Sequence, residues 1–214
     1  MLILLPPSEG KWRPQRGAPT RWESLVAADD LTWARHAVGH ALAELSAGPD
    51  ALARLGVGAS IRDEVLANLD WWSAPAAPAQ RIFTGVLFDA LDLSSLVGAP
   101  RRRAHSRIRI FSGLHGIVRP TDRIASFRLG ADAELLGVGR LRNHWRAHLA
   151  PVLDHEARNG LVVDARSGAY RAWWSPPVSA CERWLRVDVP GVSHHAKHTR
   201  GLVARALCLS LIHI

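Results

Sequence analysis

Two stretches of this chain carry residues whose types and spacing could do chemistry. In the first, Ser8-Glu9-Gly10-Lys11, a hydroxyl and an amine stand three positions apart. That S-x-x-K spacing would suit acyl transfer if the serine opened a helix and companion motifs followed, and they do not. A loop offering a serine, backbone N–H groups and a lysine is better suited to holding an anion. The second stretch, Ile108 to Leu129, reads I-R-I-F-S-G-L-H-G-I-V-R-P-T-D-R-I-A-S-F-R-L. Gly113 and Gly116 permit close backbone approach or positive φ. Val118-Arg119 is extended ahead of Pro120, and Asp122 can cap or turn the chain. Arg107, Arg109, Arg119, Arg123 and Arg128 surround this backbone with few acids. Such a composition fits anion binding, and it also fits a solvated basic face.

Lys197 and Arg200 follow a strand-like run into a last helix. If their element adjoins those carrying Ser8, Lys11, Arg119, Asp122 and Arg128, all of these residues line one basic cleft. A deep cleft with a desolvated lysine would suit an enzyme acting on a small anionic substrate that bears phosphate or carboxylate. Ser8, Lys11, Asp122, Arg128 and Lys197 would then form an oxyanion or phosphate site with a lysine base. A wide, shallow groove would suit nucleic acid. No spacing names a reaction.

Three further features bear on partners. Gly56-Val57-Gly58 separates two short helical segments, the outline of a helix-hairpin-helix. In that motif the glycines admit a phosphate to the main chain, and N–H groups at the second helix's start bind it. Glycine turns between helices are common, and Leu136-Gly137-Val138-Gly139-Arg140 repeats the pattern before another helix. Pro100-Arg101-Arg102-Arg103 holds the densest positive charge in the chain, either a solvated face or a set of phosphate contacts. Trp71-Trp72 and Trp173-Trp174 are core or rim candidates, although an exposed tryptophan near arginines can stack on unpaired bases. His144 and His148 stand four apart on one helix face, and His194, His195 and His198 cluster later. Neither group has the acidic partner that a zinc or iron site needs, so no metal and no cofactor is expected.

Composition sets the class. The chain has 214 residues, 48% of them hydrophobic, with a mean hydropathy of -0.01, as in an ordinary globule with a sizeable core. A net charge of +8 and an isoelectric point of about 11.0 favour anionic partners. Arginine greatly outnumbers lysine. Two cysteines, Cys181 and Cys208, are too few for a disulfide framework and suit a reducing cytoplasm. The opening apolar run stops at Pro6, too short for a signal peptide, and no run approaches the length of a membrane helix.

The elements follow from periodicity. Strands are expected at Leu2–Leu5, Arg81–Thr84, from Ile108, and at Leu161–Asp164, Tyr170–Trp174, Trp184–Val189 and Gly191–His195. Helices are expected over Trp22–Leu45, with Leu25, Val26, Trp33, Val38, Leu42 and Leu45 on one apolar face. More are expected over Pro49–Leu55, Ser60–Leu69, Gly85–Leu96, Pro100–Ser106 and Leu141–Ala157, and from Lys197 onward.

S-G-L-H-G-I-V-R-P-T-D-R with F-R-L resembles the S-G-L-Y-G-V-L-R-P-x-D and Y-R-L signatures of the YaaA family, bacterial peroxide stress resistance proteins. M-L-I-L-L-P-P-S-E-G-K, I-F-T-G-V-L-F-D-A-L, L-V-V-D-A-R-S-G-A-Y and V-S-H-H-A-K-H-T-R-G are similar to other family segments, in family order over nearly the whole chain. His115 and Phe127 stand where the family often has Tyr, and Gly130-Ala131 replaces a polar-Met pair. The resemblance implies a single α+β domain over residues 1–208, with a mixed sheet, a helical N-terminal lobe and a basic cleft. It matches Lys197 and Arg200 to the family's A-K-x-x-R-G and favours the shared cleft. It also favours Gly56-Val57-Gly58 as the hairpin of a non-sequence-specific DNA binder; the protein itself is expected to be a monomer. The family's role is limiting free iron and oxidative DNA damage. Leu209-Ser210-Leu211-Ile212-His213-Ile214 departs from the family and is expected to be a non-native tail.

Overall fold

The computed structural model describes residues 1–190 and 193–210. Five segments make the main sheet: β1 (Leu2–Leu5), β2 (Ile108–Ser112), β3 (Gly116–Val118), β4 (Val162–Asp164) and β5 (Trp184–Arg186). Every side chain of β1 is at most 4% exposed. Four consecutive buried apolar residues need cover on both faces and partners on both edges, the setting of a central parallel strand. β1 accordingly pairs in parallel with β2, Ile3 opposite Ile108, and with β4, Leu2 opposite Val162. β5 continues the sheet in parallel beyond β4, and β3 turns back antiparallel on β2, giving the order β3-β2-β1-β4-β5. The sheet is therefore mixed, and the fold is the expected single-domain α+β architecture.

Five helices cover it: α1 (Ala28–Ala47), α2 (Val86–Leu91), α3 (Gly98–Arg107), α4 (Leu141–Ala157) and α5 (Ser193–Leu209). In α1 the expected face is buried at Val38, Leu42 and Leu45, joined by Leu31, while Trp33 points away from it and is exposed. Arg35 pins this helical lobe to the sheet. Its buried guanidinium donates to the carbonyls of His115 (3.0 Å), Val26 (2.7 Å) and Ile117 (3.1 Å). Gly113 and Gly116 both serve close approach: a Cβ on Gly113 would lie 2.8 Å from the Leu129 carbonyl, and Gly116, at φ +71°, lies under Trp145. One core cluster runs from Leu2 to Cys208.

Two expected strands are not strands, and a third is helical over its described residues. Arg81–Thr84 overlaps a single helical turn, Ala79–Ile82, after which Phe83 makes one isolated bridge to Lys11. Pro78, at the cap of that turn, has a φ of -52° that leads into a helix. Tyr170–Trp174 begins in another turn, Gly168–Arg171. Arg166, fully buried beside Asp164, donates to the carbonyls of Tyr170 (3.1 Å) and Trp174 (2.8 Å) and so supplies the partners a strand neighbour would have given. Of Gly191–His195, Gly191 and Val192 lie outside the described residues. Helix α5 starts at Ser193, so His194 and His195 share its first turn and do not alternate across a sheet. Leu136–Gly139 belongs to a β-hairpin, Glu134–Leu135 pairing with Gly139–Arg140, and not to a helix–helix turn. In the suspected tail, Leu209 closes α5 and Ser210 follows; Leu211–Ile214 lie outside the described residues.

Candidate functional site

The carboxyl ends of parallel strands leave their loops on one edge of a sheet, where ligand sites of open α/β sheets usually form. β1, β2 and β4 send three loops to that edge, carrying Lys11, His115 and Tyr170. The Ser8 hydroxyl donates to the Gly10 carbonyl (2.5 Å) and accepts from the Thr84 N–H (3.1 Å), so it braces the loop. That brace presents the half-buried Lys11, whose Nζ donates to the carbonyls of Ser8 (3.0 Å) and Glu9 (3.3 Å). The same nitrogen lies 4.6 Å from the Phe127 ring centroid and 5.8 Å from that of Phe83. Burial, and then the neighbouring Arg128 charge, pull the Lys11 ammonium down to about 7, against the weaker attraction of Glu64 and Glu9.

Arg128 sits beside it. Its guanidinium donates to the Glu9 carbonyl (3.2 Å) and stands 3.9 Å from the carboxylates of both Glu9 and Glu64. Buried Asn68 fixes its backbone, accepting from the Arg128 N–H (2.8 Å) and donating to the Arg128 carbonyl (3.0 Å). Tyr170 faces the same group: burial, then Asp132 and Glu9, push its phenol upward. Behind Phe127, buried His115 holds Nδ1 3.0 Å from the Ser112 hydroxyl, stacks on Trp22 and meets Phe127 edge-on. Burial, followed by the charges of Arg35 and Lys11, keeps its imidazole neutral well below the usual histidine range.

The expected cleft is thus divided. Ser8, Lys11 and Arg128 come together; the other four stand elsewhere. Asp122 accepts from the N–H groups of Val26 and Arg119 (3.0 Å each) and from Arg119 Nε (2.8 Å). Arg119 also donates to the Ser24 carbonyl (3.0 Å). A buried carboxylate takes the nearest donors, and this one is saturated by its own turn and by the Val26 N–H. Arg200 lies near Arg171, Asp188 and Asp164, where burial and Arg171 lower its pKa. Lys197 is exposed on α5 and is not among the charges acting on Lys11. Asn68, Glu64 and Tyr170 were not singled out in the sequence, where no spacing marks them; only the fold brings them to Lys11.

The other candidates also have defined positions. Gly56 is exposed at φ +65°, and the Val57 N–H returns to the Leu52 carbonyl (2.9 Å), closing the four-residue helix Ala51–Arg54. Gly58 precedes a 3-10 turn, Ala59–Ile61, and then a five-residue helix, Arg62–Leu66. Arg101 and Arg102 are exposed on α3. Arg103 is not free: it donates to the carbonyls of Cys208 (2.7 Å) and Leu209 (3.1 Å), capping α5. Among the described residues no group of three or more His, Cys, Asp and Glu side chains converges as metal ligands, and no helix is long and apolar enough to cross a membrane.

A mixed five-stranded sheet with a helical lobe and a recessed lysine–arginine site beyond its parallel strands defines the class of α+β protein. The chain belongs to the family of the peroxide stress protein YaaA, whose model matches residues 1–213. It is 47% identical over 215 residues to a UPF0246 protein of Streptomyces coelicolor, covering 97% of this chain and 82% of the relative. Identity to a UPF0246 protein of Corynebacterium efficiens is 36% over 218 residues, covering 98% of this chain and 86% of that one.

Proposed function

We propose that the protein serves the peroxide stress response by binding DNA through its phosphate backbone, with little sequence preference. The observation behind this is where the net charge gathers. Helices α3 and α5 hold seven of the 27 Lys and Arg residues and none of the 19 acids, so they account for seven of the net +8. They also touch, through Arg103 and through Arg107, which donates to the Leu207 carbonyl (3.4 Å). Arg101, Arg102 and Lys197 are exposed, and a polyanion reaching them would release counterions. The exposed turn at Gly56-Val57-Gly58 offers a second, main-chain contact in the manner of a helix-hairpin-helix. In this role the protein works as a monomer in the cytoplasm, and the family's part in limiting free iron and oxidative DNA damage is exerted at the DNA.

A salt titration of binding to duplex, branched and single-stranded DNA tests this. Affinity falls steeply with salt, with a log-log slope of about -0.9 per neutralised phosphate. Replacing Arg101 and Arg102 by Ala weakens binding to every sequence alike and flattens the slope by about 2. Gly58→Val weakens binding at unchanged slope. No binding tighter than about micromolar at low salt on any of the three DNAs sinks the proposal. The second reading, an enzyme acting on a small phosphate- or carboxylate-bearing substrate, would then move ahead, with the desolvated Lys11 beside Arg128 in its favour.

A further inference from the structure

We propose that the Lys11 amine is a nucleophile that captures abasic sites in DNA, forming a Schiff base with the aldehyde of the base-free deoxyribose. This rests on the DNA-binding reading above and names the lesion that the recessed site receives.

The first support is the choice of residue. Of the 27 basic residues only Lys11 and Lys197 are lysines. Where this chain needs a bare positive charge it uses arginine, and a guanidinium cannot give up its proton. Lys11 is the lysine that the fold recesses. Its Nζ meets two backbone carbonyls and the faces of two aromatic rings, and among the described residues no carboxylate is bonded to it. Two of the three ammonium hydrogens are thus placed, and loss of the third leaves a lone pair free to attack. The charged groups facing it are Arg128, Glu64 and Glu9, and their sum with burial brings the amine down to about 7, so its free base is within reach near neutral pH.

The second support is what surrounds the amine. Arg128, its backbone clamped by Asn68, is a fixed cation for a phosphate flanking the lesion. Trp12, the next residue in the chain, is 41% exposed; its backbone N–H donates to the Ile82 carbonyl (2.8 Å), and the Arg81 guanidinium lies 4.9 Å from its ring centroid. An exposed indole on a fixed backbone can stack in the gap a missing base leaves. Oxidative attack on DNA releases bases and so produces this aldehyde, which fits a protein of a peroxide stress family.

The step balances without a redox partner. The free amine adds to C1′ of the ring-opened sugar, and the carbinolamine loses water to give a protonated imine. That imine acidifies the C2′ hydrogen; Glu9 or Glu64 takes the proton, the C3′–O bond breaks, and the 3′ phosphate leaves with the electron pair. Water then hydrolyses the imine, returning the amine and releasing an unsaturated aldehyde.

The experiment uses the full chain and two labelled duplexes, one intact and one with a single abasic site, at pH 7 with borohydride. The expected result is a denaturant-resistant protein–DNA adduct with the abasic duplex alone, mapped by mass spectrometry to Lys11. Lys11→Ala and Lys11→Arg lose the adduct at least tenfold while keeping salt-dependent binding to the intact duplex. Mapping on the wild type needs no variant to fold. An adduct on Lys197 or on the Met1 amine overturns the proposal. So does occupancy of the abasic duplex without an adduct, which leaves the DNA-binding reading standing; failure to bind either duplex overturns both.

Discussion

Arg119 and Arg128 lie nine residues apart in one basic stretch, and their surroundings differ in a way that separates scaffold from site. Around Arg119 every strong group is matched at close range. Asp122 takes three donors at 2.8–3.0 Å, and the guanidinium spans to Ser24. Around Arg128 the backbone is fixed but the charges are not closed: both carboxylates stand at 3.9 Å, and a recessed lysine is left without an acid of its own. A saturated array holds a turn in place, whereas an unsaturated one retains capacity for a ligand. Counting arginines does not distinguish the two; their partners do.

The largest effect that would test this contrast is expected on the saturated side. Asp122→Ala strands a buried N–H, a half-buried one and a guanidinium, and urea unfolding should show a loss of about 3 kcal/mol. If the loss is under about 1 kcal/mol, the Arg119 turn is not a scaffold. His115 comes next. The folded imidazole stays neutral well below its usual range, while the unfolded one takes up a proton as pH falls through 6.5. Stability is therefore fully present above that pH and declines below it, by up to about 2 kcal/mol at pH 5. His115→Phe should flatten that acid limb; an unchanged limb would show that His115 titrates in the fold. Lys11 comes last, because its effect lies above neutral pH. Its folded value is about 7 and its ordinary value 10.5, so between them the unfolded chain holds the extra proton and wild-type stability rises with pH. Lys11→Met should remove that rise, readable as the pH dependence of Tm between those values; a Tm that still climbs over that range would show that Lys11 is not its source.

The same contrast explains how much could be read from the chain alone. β1 and α4 were legible because their signals are local: an unbroken apolar run and a long 3.6-residue period. Arg81–Thr84 and Tyr170–Trp174 were not, because short apolar runs do not carry a period long enough to choose between strand and turn. The second is decided by Arg166, whose partnership with Asp164 is a tertiary fact. Ser8, Lys11 and Arg128 were identifiable by type and by their motifs. Grouping them with Arg119 and Asp122 failed, because nothing in residue type reveals that a carboxylate is already satisfied. Asn68 illustrates the reverse: it positions Arg128 across 60 residues of chain, and only burial shows that role.

The cap that Arg103 and Arg107 place on the end of α5 has one more consequence. Those two side chains spend their charge on carbonyl dipoles, so the helices are held together while their remaining cations repel one another. The carbonyls they cap belong to the last turn of α5, so opening of that turn frees both arginines of α3, and amide hydrogen exchange at the α3–α5 junction should report a common opening free energy. Anything anionic that settles on Arg101 and Arg102 relieves the repulsion in both helices at once. Exchange should then slow along α5 as well, in amides that the anion never touches.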